Sequence, residues 1–350
     1  MSSNISYMKN TRPDYSGILS QVEKADVTAL RQFLSDNPSK PLVATGSGGA
    51  ETVADFAALL YGARGGVATA ASPYTIHSLS DRALASSKVL LVSAGGHNND
   101  IVFAAKRALE VSPESSASFT FSTGERNEVR KLFLKNGSPR SFDIPVSTDD
   151  GFVSTGTPVA FFALLCKAFG SCRNLTRFAP EAGESFSICT KSGRALTPSD
   201  LKGVSNFVIL HGSWGRPVAA NLEGKLVESG HASASVYDYR NYCHGRFIYT
   251  SNHLSDSAVV LLVTPREKDL AGRIVKLLPD DTRLIIIETR EDAPVASLDL
   301  LIRSTEFFFA LCDSLGVNPA SPKNPGKIDK RVPMWIPFVS AMKQSGPLSL

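Results

Sequence analysis

The fold is indicated most clearly by residues 41–63, which read PLVATGSGGAETVADFAALLYGA. The short apolar run at 41–45 predicts a buried strand, and the ETVADFAALLYGA segment has the length and apolar content of a helix. The glycine-rich GSGG between them predicts a tight turn from strand to helix. This stretch is therefore typical of one strand–turn–helix unit of an α/β protein.

Similar units recur along the chain. Further strands are predicted at 66–72, 88–94, 116–123, 206–213, 257–264 and 282–289. Helices are predicted at 14–36 (as one or two helices), 51–63, 100–111, 157–169, 216–230, 269–278 and 297–315. Short apolar strands that alternate with longer helices predict parallel sheets covered by helices on both faces.

The fold class that we expect is α/β, with two doubly wound parallel-sheet domains in tandem and an irregular C-terminal tail. The strand–turn–helix order at 41–60 recurs at 206–230, which favours two similar halves. We predict a helical lead-in at 1–39, a first domain at 40–170, a polar linker at 171–202, a second domain at 203–315 and a proline-containing tail at 316–350.

Composition excludes several classes of protein. The chain has 350 residues, of which 43% are hydrophobic and 20% charged, with a net charge of +4. It has no run of five basic residues, so we expect no nucleic-acid partner. Its start has neither a basic nor an apolar signal region, and no stretch reaches 18 apolar residues, so we expect a cytoplasmic protein without a membrane span.

The sequence also lacks the usual cofactor signatures. The five cysteines contain no C-x-x-C pair, so we expect neither a zinc site nor a disulfide framework. No G-x-G-x-x-G turn or Walker A lysine is present, which disfavours NAD and ATP. The histidines at 77, 97, 211, 231 and 253 do not have the spacing of metal ligands. We therefore expect no metal and no cofactor.

Three small-residue turns are candidates for ligand binding, because ligands of doubly wound sheets lie beyond the carboxyl ends of the strands. Residues 45–49 follow the first strand, residues 93–99 follow the third, and residues 150–155 precede the helix at 157. Glycine permits close approach of an anion to the backbone, and the serine and asparagine side chains supply hydrogen bonds. The alternative is that these residues only cap helices.

Three motifs in the second half carry chemical groups. They are Lys225-Leu226-Val227-Glu228, Cys243-His244-Gly245 and the tail segment SPKNPGK at 321–327. Together with the three turns, in the same order along residues 40–327, they resemble the sugar isomerase (SIS) family. The similarity is to the isomerase half of glucosamine-6-phosphate synthase and to its stand-alone isomerase and deglycase relatives.

The resemblance implies roles for individual residues. Glu228 would move a proton between C1 and C2 of an open-chain sugar, His244 would open the ring, and Lys327 would form an imine with the sugar carbonyl. Lys225, on the same helix face, would hold Glu228 ionised. The substrate-binding residues would be Gly46, Ser47, Gly48, Ser93, Gly95, His97, Asn98, Ser154, Thr155 and Lys225. A homodimer is also implied, because the family's histidine reaches the neighbouring subunit's site.

The chain departs from the family at several of these positions. The turn that begins at Ser93 lacks one serine and one threonine hydroxyl of the family's phosphate-binding S-x-S-G-x-T loop. The sequence therefore leaves open whether the sugar is phosphorylated. Asn221 stands where the family usually has a glutamate, and Arg246 replaces a proline. Two functions therefore stay open: a sugar isomerase or deglycase, and a non-catalytic regulator that binds a sugar phosphate. The extension at 328–350 would dock on a partner protein or pack on the chain itself.

Overall fold

The described part of the chain forms two five-stranded sheets with helices packed around them. The structure is a computed structural model, and it describes residues 12–148, 150–172, 174–180 and 185–320. The strands are β1 (Leu42–Gly46), β2 (Ala68–Ala71), β3 (Lys88–Val92), β4 (Ser116–Thr120), β5 (Ser141–Asp143), β6 (Ser187–Thr190), β7 (Asn206–His211), β8 (Ser233–Asp238), β9 (Ser257–Val263) and β10 (Arg283–Glu288).

The α-helices surround these sheets and provide most of the contacts between them. They are α1 (Tyr15–Lys24), α2 (Thr28–Ser35), α3 (Gly49–Ala63), α4 (Pro73–Ser78), α5 (Asp81–Ala85), α6 (Asn99–Val111), α7 (Glu128–Lys135), α8 (Gly156–Ala168), α9 (Arg216–Glu228), α10 (Tyr239–Asn241), α11 (Phe247–Asn252), α12 (Lys268–Leu277) and α13 (Val295–Leu315).

The first sheet is parallel throughout, in the order β2-β1-β3-β4-β5. Every residue of β1, β3 and β4 is buried, as expected for strands covered by helices on both faces. The strand order reverses between β1 and β3, so their carboxyl ends form the crevice at which such sheets bind ligands. The turns at 45–49 and 93–99 both lie at this crevice.

The second sheet repeats the first with one difference. Its order β8-β7-β9-β10-β6 matches that of the first sheet, and β7 to β10 are parallel. The last position, however, is taken by β6, which runs antiparallel to β10. Strand β6 lies within residues 171–202, the segment predicted to be a linker, so the second sheet already begins in that segment. The α/β fold class is confirmed.

The two halves share one hydrophobic core. Helix α8 is buried on nearly all sides and packs against α1, α3 and α13, and α3 also packs against α9 from the second half. The rings of Phe56 on α3 and Phe162 on α8 stack with their centroids 4.3 Å apart. Because one cluster of buried side chains runs through both halves, the position of α9 relative to α3 is fixed by the core.

The predicted elements occur within about three residues of their expected bounds, but eight further elements were not predicted. These are strands β5, β6 and β8 and helices α4, α5, α7, α10 and α11. Strands β5 and β6 are short, and β8 (SASVYD) is polar and half-exposed, so none carries an apolar run. Most of the tail predicted at 316–350 lies outside the described residues, which end at Ala320.

Candidate functional site

A cavity of about 1600 Å³ opens between the two halves, where α3 faces α9. Its walls are formed by both helices, by Arg64 and residues 66–70 at the edge of the first sheet, and by one or two residues from each of several connecting segments. The polar and charged residues among those that line it are Glu51, Thr52, Asp55, Arg64, Thr69, Ser154, Ser171, Ser213, Arg216, Asn221, Glu223, Lys225, Glu228 and Arg266.

Helix α9 presents Asn221, Lys225 and Glu228 to the cavity at positions i, i+4 and i+7, which lie on one helix face. Lys225 is only 3% exposed, and its Nζ donates a hydrogen bond to Oδ1 of Asn221 one turn earlier. Asn221 in turn donates through Nδ2 to Oγ1 of Thr52 on α3, at 3.3 Å. The lysine is therefore positioned by groups from both halves.

The surroundings move the pKa values of Lys225 and Glu228 towards each other. Burial lowers the pKa of Lys225 to about 7, against the opposing effects of the carboxylates of Asp150 and Glu228. Glu228 is exposed at the end of α9, yet the protein around its carboxyl group removes part of its hydration and raises its pKa. Lys225 opposes that rise and Glu223 adds to it. Groups shifted in this way can exchange protons near neutral pH.

An ion pair closes one side of the cavity. Arg216, the first residue of α9, donates from Nε to Oδ2 of Asp55 on α3 at 2.8 Å, and from Nη2 to the other carboxylate oxygen. This two-point contact fixes the beginning of α9 against α3, and both side chains line the cavity.

The turn at 45–49 connects the cavity to the crevice of the first sheet. Gly46 allows the chain to turn sharply, because a Cβ there would collide with the backbone carbonyl of Ala50. Gly48, with a positive φ of 58°, lines the cavity. Ser47 points to the other side and donates through Oγ to Oδ2 of Asp100, at 3.3 Å. Of the three predicted binding residues in this turn, Gly48 is the one that contacts the cavity.

The turn at 93–99 is held by hydrogen bonds within itself. Oγ of Ser93 accepts from the backbone N–H of Gly96 at 3.2 Å, and Oδ1 of Asn98 accepts from the N–H of Asp100 as the cap of α6. The exposed ring of His97 folds over Gly95, where a Cβ would collide with it. Within the described ranges, none of these residues lines the cavity.

The turn before α8 is organised by Asp150. Its carboxylate accepts hydrogen bonds from the hydroxyls of Ser154 and Thr155 and from the backbone N–H groups of Thr155, Gly156 and Thr157, at 2.6–3.2 Å. An internal carboxylate thus already occupies the N-terminus of α8, the position where an external anion would otherwise bind. Ser154 lines the cavity, whereas Thr155 is buried beneath the turn.

His244 lies apart from this cavity. It is exposed in the turn between β8 and α11, next to Gly245, whose φ is 99°, and it is not among the described residues that line the cavity. Its neighbour Cys243 is also exposed, and its Sγ lies 3.4 Å from the carbonyl oxygen of Tyr239. Lys327 lies outside the described residues.

The structure thus brings four of the predicted site residues together: Gly48, Ser154, Lys225 and Glu228. Sequence reasoning missed three residues that shape the site, namely Thr52, Asp55 and Asp150. Thr52 and Asp55 lie three residues apart on α3, a spacing that could have placed them on one face. Asp150 could have been recognised as an acidic residue close before a helix start.

The described ranges contain neither a metal-binding cluster nor a membrane-spanning helix. No group of three or more His, Cys, Asp or Glu side chains within them is arranged to hold a metal ion. No helix in the same ranges combines the length and the apolar character needed to span a bilayer. The five cysteines are all free thiols.

Comparison with known proteins finds similarity in structure only. No protein-family model and no curated protein sequence matches the chain. Among solved structures, glucosamine-6-phosphate deaminase from Thermotoga maritima superposes with a TM-score of 0.62 at 16% identity, covering 88% of this chain and 96% of that one. Tagatose-6-phosphate ketose/aldose isomerase from Escherichia coli gives a TM-score of 0.61 at 17% identity, covering 88% and 92%.

A third solved structure is the C-terminal domain of glucosamine-fructose-6-phosphate aminotransferase from Francisella tularensis. It has a TM-score of 0.59 at 12% identity and covers 86% of this chain and 94% of that one. At these identities the likeness concerns the fold. The chain therefore has the fold of SIS-domain phosphosugar proteins, and the resemblance read from the sequence is confirmed at that level.

Proposed function

We propose that the cavity between α3 and α9 binds an open-chain sugar or sugar phosphate and interconverts its aldose and ketose forms. On a sugar–amine adduct the same proton transfer would give an imine, which water then hydrolyses to the sugar and the free amine. The observation that carries this proposal is the pair Lys225 and Glu228, which lines a cavity large enough for a hexose phosphate. The shared fold with a ketose/aldose isomerase and an aminosugar deaminase supports the same class of chemistry.

The proton-carrying group in this proposal is Glu228. Aldose–ketose interconversion removes a proton from one of two adjacent carbons and returns it to the other, so one carboxyl group within reach of both carbons suffices. Because the pKa of Glu228 is raised, a larger fraction of its carboxyl groups is protonated near neutral pH than in an ordinary glutamate. Lys225, one turn earlier on the same face, stabilises the ionised form of Glu228 in the fraction of molecules whose lysine is protonated.

The imine in the proposed reaction is assigned to Lys327, as the resemblance implies. The described chain ends near the cavity, because the carbonyl oxygens of Pro319 and Ala320 accept hydrogen bonds from the N–H groups of Val153 and Phe152, next to Ser154. Residue 327 follows Ala320 by seven positions, which an extended chain spans in about 23 Å. Chain length therefore allows Lys327 to reach the cavity.

We further propose that the active form is a homodimer in which His244 enters the partner's cavity. His244 is exposed and precedes a short helix with three exposed large side chains, Phe247, Ile248 and Tyr249. A C2 contact through this region would cover them. Mixing a His244→Ala chain with a Glu228→Gln chain should then restore activity, and a monomer by light scattering would contradict the proposal.

The non-catalytic alternative, a regulator that binds a sugar phosphate, is favoured by one observation: Glu228 lines the cavity within the described residues, whereas His244 does not. Its phosphate site, however, would be weak. The donors in the turns at 45–49 and 93–99 are partly engaged, since Ser47 donates to Asp100 and Asp100 itself places a carboxylate beside the crevice. Such a crevice is a weaker phosphate site than one with free hydroxyls. A protein that binds a sugar without converting it would need neither Lys225 nor Glu228 at the cavity, so we place this alternative second.

The location of the ligand tests the proposal. Crystals soaked with fructose 6-phosphate should show the sugar between Gly48, Ser154, Lys225 and Glu228, with its anionic group towards the turn at 45–49. A sugar bound elsewhere, with this cavity empty at millimolar concentration, would contradict the assigned site. Calorimetry with fructose and fructose 6-phosphate would then tell whether the phosphate contributes to binding, and Ser93→Ala would test the second turn.

A further inference from the structure

Lys225 differs from the buried Lys88 and from the half-buried Lys167 in what surrounds its amine. The Nζ of Lys88 donates to the carbonyl oxygens of Phe33 and Asp36, and that of Lys167 donates to three carbonyl oxygens at and just beyond the end of α1. The Nζ of Lys225 has one acceptor within the described residues, the side-chain amide of Asn221. Lys225 also lines the large cavity, which Lys88 and Lys167 do not.

No carboxylate forms an ion pair with Lys225 among the described residues. Asp150 and Glu228 are the charged groups that act on it, at longer range, and both oxygens of Asp150 already accept hydrogen bonds from residues 154–157. Asn221 is itself held by the hydrogen bond that its Nδ2 donates to Oγ1 of Thr52 on α3. An ammonium ion with a single neutral acceptor is poorly compensated for its lost hydration, and the uncharged amine is favoured.

We propose that Lys225 is a second imine-forming amine of this cavity, which attacks the carbonyl carbon of an open-chain sugar. The inference rests on the proposed function, since it requires a sugar carbonyl in the cavity. An uncharged amine keeps the lone pair that the attack requires, and the cavity wall holds that amine in one place.

The step balances with groups at hand. The Nζ–carbon bond forms as the carbonyl π bond breaks, and one amine proton passes to the oxygen to give a carbinolamine. Loss of the hydroxyl as water then requires one proton and yields the protonated imine. Glu228, one turn away on α9 and with a raised pKa, is placed to supply that proton and to recover it on hydrolysis.

The experiment uses the full chain with Lys327→Arg, which removes the other proposed amine. The protein is incubated with fructose 6-phosphate and sodium cyanoborohydride, digested and examined by mass spectrometry. We expect the reduced sugar on the peptide that contains Lys225, with at least ten times more label than on the peptide that contains Lys88. Labelling should rise with pH through about 7, as the uncharged amine becomes the major form. Lys225→Arg in the same background should abolish it.

A second variant keeps the test independent of folding problems at Lys225. Asn221→Asp places a carboxylate at the Nζ and stabilises the ammonium form, so labelling at pH 7 should fall about tenfold and recover at higher pH. Asn221→Gln, which keeps a neutral amide, is the matched control.

The outcomes separate this inference from the proposed function. Label on Lys327 in the unsubstituted chain, with none on Lys225 after Lys327→Arg, would overturn the inference and leave the function in place. Conversion of ketose to aldose without any adduct on Lys225 would do the same. Label on Lys225 without any conversion or deglycation would support the inference and overturn the isomerase and deglycase function.

Discussion

The two halves that meet at the cavity differ in how their polar groups are satisfied. In the first half, the polar groups of the turns near the cavity form hydrogen bonds with one another: Ser47 with Asp100, Ser93 with the N–H of Gly96, and the start of α8 with Asp150. On the α9 side, Lys225 has one neutral acceptor and Glu228 is exposed. Polar groups that are fully hydrogen-bonded fix the conformation of the chain around them. Ionisable groups with few partners have shifted pKa values and are available for reaction. We therefore assign the shape of the site to the first half and its chemistry to α9.

The strongest test of this division is Glu228→Gln. If Glu228 carries the proton, the variant should lose about 10²- to 10⁴-fold in kcat, because a positioned general acid–base group contributes about that much. The exposed position predicts an unchanged fold. Steady-state kinetics with the identified sugar would measure the effect.

The matched control is Glu223→Gln, on the same helix and also at the cavity. Removing this carboxylate should lower the pKa of Glu228, so that the acid limb of the pH–rate profile shifts to lower pH while kcat changes by a few-fold at most. Equal losses of kcat in both variants would contradict the role given to Glu228.

On the first-half side the expected effects concern stability. Asp150→Ala removes the acceptor for the N–H groups of Thr155, Gly156 and Thr157 at the start of the buried helix α8. We expect the free energy of unfolding in urea to fall by about 2–3 kcal/mol, as for a lost cap with buried donors left unpaired. Asp150→Asn keeps one acceptor oxygen and should lose less. A loss below about 0.5 kcal/mol for Asp150→Ala would show that the carboxylate does not organise this side.

The charge state of Lys225 predicts a pH dependence of stability. The pKa of its amine in the folded chain is about 7, whereas the unfolded value is near 10.4, so between these values the unfolded chain binds a proton that the folded chain does not. Stability therefore rises with pH in that window and is insensitive to this group below it. Compared with Lys225→Met, the unsubstituted chain should gain about 1–2 kcal/mol between pH 7 and 9 in urea unfolding. Parallel pH profiles for both proteins would contradict a lowered pKa.

The smallest effect is expected at the ion pair that joins the two sides. Arg216 is half-exposed, so its contact with Asp55 should contribute less than about 1 kcal/mol to stability. A double-mutant cycle with Arg216→Gln and Asp55→Asn measures that coupling energy. A value above about 2 kcal/mol would mean that the ion pair, and not the shared core, holds α9 against α3.

The sequence predicted more of the fold than of the site, for physical reasons. Strands such as β1, β3, β7 and β9 are continuous apolar runs, so the local sequence alone predicts that they are buried. Strand β6 has no such run, and its place at the end of the second sheet depends on pairing with β10, about 95 residues later in the chain. Local sequence cannot specify a pairing of that kind.

In the site, too, the features set by local sequence could be predicted and those set by distant contacts could not. Lys225 and Glu228 could be paired from the sequence because helical spacing puts them on one face. The contact between Asn221 and Thr52 joins residues 169 positions apart, and it arises from the packing of α3 on α9. The low pKa of Lys225 depends on that burial, so the sequence suggested a permanently charged partner for Glu228 where the structure has an amine whose pKa is lowered to about 7.

The central claim, that this cavity converts sugars, is tested most directly by proton exchange. Fructose 6-phosphate, glucose 6-phosphate and the corresponding free sugars would be incubated with the unsubstituted protein in D₂O and followed by ¹H NMR. We predict that at least one sugar takes up deuterium at C1 or C2 as its aldose and ketose forms interconvert, and that Glu228→Gln stops this exchange. Binding of these sugars at the cavity with neither interconversion of their aldose and ketose forms nor deuterium uptake would contradict the account and leave a sugar-binding protein without isomerase activity.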